Sequence, residues 1–171
     1  MHTQNHAMFA LLDLPRPFAL LLGALCLLLA TAAQAQGTAA PLNTAVGLWR
    51  SIDDNTGKPQ ALVRITESNG EVSGRIEKLF PGVSDDPNPR CAKCEGARKD
   101  QPVIGMTILS GLKRGRDQNA DEYSGGEILD PDNGSVYRAL LTLAEGGRKL
   151  KVRGYIGVSL FGRTQVWERV E

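Results

Sequence analysis

The chain has 171 residues, with 20 lysines and arginines against 19 aspartates and glutamates and a formal net charge of +1. That balance excludes a dedicated nucleic-acid or polyanion binder, which needs a basic surplus to displace counterions from its partner. Both histidines, His2 and His6, lie at the extreme N-terminus.

The first element in chain order is an apolar run over residues 18–29, preceded by Arg16 and followed by Ala33-Gln34-Ala35. A run of that length, a basic residue ahead of it and an A-x-A behind it read as a secretory signal. The expected organisation is a signal peptide over residues 1–35, a flexible N-terminal segment over 36–45 and a single β-barrel domain over 46–171, in the periplasm or secreted. A retained anchor is the other reading, because residues 18–33 approach the length of a bilayer-spanning helix. No membrane span is expected in the mature chain. Cys26 lies within the apolar run rather than at its end, which argues against a lipid-modified cysteine.

Loss of residues 1–35 leaves the charge unchanged, since Asp13 and Arg16 are the charged side chains there, and it takes both histidines with it. A mature chain without imidazole has no serine–histidine pair and no histidine metal ligand.

From residue 46 onward the segments are short, β-branched or alternating, and glycine-punctuated. Strands are expected at 46–52, 61–66 and 72–79, with Asp53-Asp54-Asn55-Thr56-Gly57 and Ser68-Asn69-Gly70 as the turns between them. An irregular excursion rich in proline follows, then a strand at 103–109 and a long polar turn at 113–121. The next strands are 123–129 and 136–143, joined by Asp130-Pro131-Asp132-Asn133-Gly134, the strongest turn signal in the chain. Glu145-Gly146-Gly147 reverses the chain into 149–157, and 160–170 closes it. About eight antiparallel strands joined mainly by hairpins leave two reactive edges unless the sheet closes. The expected fold is therefore all-β, a mostly up-and-down barrel of about eight strands; a two-sheet sandwich is the alternative.

The excursion carries the mature cysteines, Cys91 and Cys94, in Cys91-Ala92-Lys93-Cys94. Two thiols without histidine do not complete a tetrahedral zinc site, so neither metal nor cofactor is expected. In an oxidising compartment they form a disulfide that staples a local loop. The sharper alternative is a thiol–disulfide oxidoreductase, but such motifs open a helix after a strand, and Pro87, Pro89 and Pro102 around this one argue against a helix.

Gly47-Leu48-Trp49 resembles the G-x-W of lipocalins and fatty-acid-binding proteins. That resemblance implies a basic residue from the last strand, Arg169 or Arg163, over Trp49. From residue 46 to the C-terminus the chain also resembles a bacterial exported family catalogued as domain of unknown function 2147. The residues that carry the likeness are Gly47-Leu48-Trp49-Arg50, Asp54 with Gly57-Lys58-Pro59, the Cys91–Cys94 motif, Gly105-Met106, Ser124-Gly125-Gly126, Asp130-Pro131, Val152-Arg153-Gly154-Tyr155 and, most specifically, Phe161-Gly162-Arg163-Thr164-Gln165-Val166-Trp167. The family implies export and a lipocalin-like barrel, and no established activity.

Three functional classes follow. In the first, the barrel binds a small apolar or amphipathic ligand, with Trp49, Tyr155, Phe161 and Trp167 as walls and Arg153 or Arg163 as an anchor for an anionic group. Against it stands a closed, side-chain-filled core, since aromatics make up only 5% of the chain. In the second, an enzyme works through paired carboxylates, Asp53 with Asp54 or Glu127 with Asp130. Turn chemistry accounts for three of these, whereas alternation places Glu127 inward with Tyr123, Gly125 and Leu129. The third is an envelope interaction module using strand edges or the cysteine loop.

Overall fold

The computed structural model describes residues 42–171, so the expected export signal lies outside the described residues. Eight antiparallel strands follow in order: β1 (Gly47–Ile52), β2 (Pro59–Ser68), β3 (Glu71–Leu79), β4 (Thr107–Arg114), β5 (Glu122–Leu129), β6 (Val136–Ala144), β7 (Lys149–Tyr155) and β8 (Gly162–Arg169). Each pairs with its neighbour in sequence, and β8 returns to β1, closing a barrel. Among the described residues no helix is long and apolar enough to cross a membrane.

The period of two along each strand sends alternate side chains inward. Ala61, Val63 and Ile65 of β2, Val72 and Ile76 of β3, and Leu150 and Val152 of β7 are all buried. The closing seam is short. Trp49 faces Arg169 and Arg50 faces Glu168, with Leu48 N–H donating to Glu171 O at 3.0 Å and Val170 N–H to Leu48 O at 2.8 Å. By contrast, β7 and β8 stay in register from Lys149↔Glu168 to Tyr155↔Gly162.

The end of the barrel at this seam is sealed. Trp49 is wholly buried, and the Arg169 guanidinium lies 4.2 Å from its ring centroid, as the family resemblance implies. Arg169 also donates to Gly147 O at 2.7 Å and Val46 O at 3.0 Å. Burial lowers the Arg169 pKa from its ordinary value, yet a guanidinium remains charged throughout the accessible pH range. The indole N–H donates to Ala45 O at 2.8 Å, and Ala45 N–H donates to Tyr123 Oη at 3.0 Å. Ala45, expected within a flexible lead over residues 36–45, is therefore buried and pinned to the sealed end.

Three further expectations shift. The strand expected at 103–109 begins at Thr107 and runs to Arg114. Val103 and Met106 are buried, but they form a tight turn, with Met106 N–H donating to Val103 O at 3.1 Å and Gly105 at φ +90°. The polar residues after Leu109 are extended because Ser110, Lys113 and Arg114 pair with Glu127, Ser124 and Tyr123 of β5. Residues 156–161, expected partly as strand, form the β7–β8 turn. Finally, Glu127 is exposed. The β5–β6 register shifts between Tyr123 and Gly126, and that bulge reverses the alternation beyond it, turning Glu127 outward.

Candidate ligand cavity

Strand direction gathers four connections at the end opposite Trp49: the turns 53–58 and 130–135, the long loop 80–106, and the turn 156–161. They surround a cavity of about 960 Å³. Its apolar inner surface comes from Val63, Ile76, Ile108, Val152 and Trp167, with Ser51 and Gln165 as polar inward groups. Ser51 Oγ accepts from Ala61 N–H at 3.0 Å, and Gln165 Oε1 accepts from the Trp167 indole at 3.2 Å. Within reach of the inner wall these polar atoms are already engaged. Charged side chains, Asp53, Arg90, Lys93, Asp130, Asp132 and Arg163, stand at the rim.

Of the six side chains expected at a ligand site, Tyr155, Phe161, Arg163 and Trp167 line this cavity. Trp49 does not: it is the plug beneath Arg169 at the sealed end. Arg153 does not either. Its neighbours Val152 and Gly154 face inward, so the period of two puts Arg153 on the outer surface. There it donates to Ser159 O at 2.6 Å, Thr164 Oγ1 at 2.7 Å and Leu160 O at 3.0 Å. Arg163, the other expected anchor, forms a two-point pair with Asp54 across the open end, with Nε 2.7 Å from Oδ2 and Nη2 against Oδ1.

The cysteine loop belongs to this site, which its spacing alone did not reveal. Cys91 and Cys94 form a disulfide with a Cα–Cα separation of 5.3 Å; both are buried, while the two residues between them, Ala92 and Lys93, line the cavity. Cys91 Sγ lies 3.3 Å from Pro131 O. Gly134, at φ +74°, approaches so closely that a Cβ there would stand 2.1 Å from Lys93 O. The disulfide thus shapes a cavity wall, and the buried sulfurs are shielded from an attacking thiolate. Only a three-residue 3₁₀ turn, Gly96–Arg98, follows the motif.

The carboxylates are occupied by turns. Asp53 Oδ1 accepts from Thr56 N–H at 2.7 Å, Asn55 N–H at 3.0 Å and Thr56 Oγ1 at 2.9 Å, and the Thr56 backbone bond is the main cause of its lowered pKa. Asp130 accepts from Asp132 N–H and Asn133 Nδ2, both at 2.9 Å. With Glu127 outward, the carboxylates of the expected pairs that reach the cavity are Asp53 and Asp130 at its rim, each engaged by its own turn. Barrel closure pairs the strand edges on which strand addition depends, except along the β1–β8 seam beyond Arg50↔Glu168.

Two rim carboxyls respond to pH in opposite senses. The Arg163 hydrogen bonds hold Asp54 below the ordinary carboxylate range. Its stabilising contribution is present above the unfolded-state pKa and is lost as pH falls through the lower folded value. Asp132 is raised, first by partial loss of solvent and then by the Asp130 charge, so it favours the fold below its unfolded pKa and loses that advantage as pH rises through the folded value. Asp54→Asn is expected to destabilise at neutral pH by no more than about 1 kcal/mol, as for an exposed pair, and Asp132→Asn to stabilise. Both differences shrink below the ordinary carboxylate range. Urea midpoints measured from pH 7 down to pH 3 check this; equal pH slopes for the two variants would contradict it.

The geometry has a counterpart in known proteins. A family model described as an uncharacterized protein conserved in bacteria, DUF2147, matches residues 47–169. The chain belongs to this family. The match runs from the first glycine of β1 to Arg169, so it takes in the sealed end and the cavity together. Among solved structures, the chain is similar to protein HP1028 from the human pathogen Helicobacter pylori, described as belonging to the lipocalin family. The TM-score is 0.62 at 18% identity, covering 75% of this chain and 84% of that one. At that identity the likeness shows the lipocalin-like fold. No functionally curated protein matches.

Proposed function

We propose that this DUF2147 member is an exported cell-envelope barrel, periplasmic or secreted, that holds a small, partly apolar ligand in the cavity opposite Trp49. One observation carries the reading: a cavity of about 960 Å³ with an apolar interior, charged rim and sealed floor. That volume lies at the upper end of the roughly 300–1,000 Å³ typical of small-molecule sites. The ligand's apolar part packs against Val63, Ile76, Val152 and Trp167, and its polar end stays with Lys93, Asp132 and water at the rim. Arg163 is neutralised by Asp54, so the rim does not favour a strongly anionic head.

The test uses the mature chain, residues 36–171. Native mass spectrometry of freshly purified protein looks for a retained small molecule, and titration with 1-anilinonaphthalene-8-sulfonate and an uncharged fluorescent lipid analogue measures affinity. Saturable binding is expected, weakened at least about tenfold by Ile128→Trp, which fills the cavity from a half-buried wall position. An empty barrel that binds neither probe, or binding indifferent to Ile128→Trp, contradicts the proposal.

A further inference from the structure

The β7–β8 turn is the most apolar exposed feature among the described residues. Ile156, Val158, Leu160 and Phe161 are 71%, 60%, 77% and 75% exposed, and no charge occurs from Gly154 to Gly162. A contiguous patch of this kind marks a surface that leaves water on contact with something else.

Three features favour a lipid surface over a protein one. First, the carbonyls of Val158, Ser159 and Leu160 at the tip find their donors within the turn and its base. Phe161 N–H donates to Val158 O at 3.2 Å, and Arg153 donates to the Ser159 and Leu160 carbonyls. Unpaired backbone groups are what normally keep a turn out of an apolar phase. Second, among the described residues Arg153 has no carboxylate in an ion pair, so a positive charge stands uncompensated at the base of an uncharged apolar tip. A phosphate layer above hydrocarbon complements that order of charge. Third, Tyr155 sits at the same level, where an amphipathic ring suits a headgroup interface. Around the rest of the rim Asp53, Asp54, Asp130 and Asp132 stand against Lys58, Arg90, Lys93 and Arg163, so the charges balance. A balanced rim with carboxylates among its charges draws no net attraction from a strongly anionic surface and suits a zwitterionic one.

We propose that the β7–β8 tip inserts into the interfacial layer of a phospholipid bilayer. Ile156 and Phe161 also line the cavity, so docking brings the mouth to the lipid. Resting on the cavity reading, the ligand then passes between bilayer and barrel without crossing water.

Flotation of the mature chain with phosphatidylcholine vesicles tests the insertion, with and without phosphatidylglycerol. Wild type is expected to float with phosphatidylcholine alone, and less well as the share of phosphatidylglycerol rises. Val158→Asp with Leu160→Asp, which alter exposed side chains outside the cavity lining, is expected to weaken flotation at least about tenfold while keeping the wild-type urea midpoint and probe affinity. Leu160→Trp is expected to shift its emission to the blue on neutral vesicles and to be quenched by brominated lipid. Ile128→Trp separates the two proposals: a protein that loses probe binding and still floats shows the tip acting without the cavity. Failure of wild type to float on neutral vesicles overturns the inference, as does flotation unaffected by the two aspartates. So does concentration-dependent self-association abolished by the same substitutions, which would give the tip to a second copy.

Discussion

Trp49→Ala is expected to remove about 3–5 kcal/mol of stability, the range for deleting a buried indole. Single domains have roughly 5–15 kcal/mol in total, so this one change brings the fold close to its limit. The effect exceeds a simple cavity because Trp49 organises the sealed end: its ring supports Arg169, its N–H holds Ala45 O, and Ala45 in turn reaches Tyr123. Arg169→Met keeps much of the side-chain volume but leaves the carbonyls of Gly147 and Val46 without their donor, for an expected loss of about 2–4 kcal/mol. Since the two side chains are stacked, a double-mutant cycle should return a coupling of about 1–2 kcal/mol. Urea unfolding followed by circular dichroism measures all three. Additive losses would mean that the arginine and the indole stabilise the end independently.

Gly134→Ala is the second large effect, and it acts at the other end. At φ +74° an alanine costs about 1–2 kcal/mol, and its Cβ would stand 2.1 Å from Lys93 O and 2.4 Å from Lys93 C. Both are backbone atoms, and neither can swing aside. The turn and the disulfide loop must therefore part, for an expected total of about 3 kcal/mol or more. Gly57→Ala is the control: Gly57 has φ +68°, and a Cβ there would meet nothing within 4 Å, so it carries the conformational cost alone. Unfolding free energies of the two variants should differ by the steric part, and limited trypsinolysis should cut Gly134→Ala first within residues 80–106. Equal losses for the two variants would show that the loop does not depend on that contact.

Much of this architecture is written locally. Asp130-Pro131-Asp132-Asn133-Gly134 makes its turn through its own side chains, with Asp130 accepting from Asp132 and Asn133, so a short stretch suffices to place it. Ala61, Val63 and Ile65 alternate inward because nothing interrupts the pleat of β2. Gly47-Leu48-Trp49 and Arg169 meet as the resemblance implies, because their strands close the barrel. The departures have long-range causes. Glu127 turns outward because one extra residue at Ser124-Gly125 inverts the pleat, and a bulge is defined by its partner strand. Arg153 and Arg163 are equal candidates in sequence, and only strand phase puts them on opposite faces. Ala92 and Lys93 become cavity wall only because Pro131 and Gly134, some forty residues away, press against their loop.

The β1–β8 seam is the line along which the barrel is least firmly closed. Its ladder covers Leu48 to Arg50 and then stops, and at the open end the two sides are next joined by Asp54 and Arg163. The β6–β7 and β7–β8 ladders run without interruption. A hoop fastened this unevenly widens along its weakest line, while the Trp49 end stays fixed. On the proposed ligand-binding reading, the size of the guest depends on how far that line yields, and the Asp54–Arg163 pair lies across it at the rim.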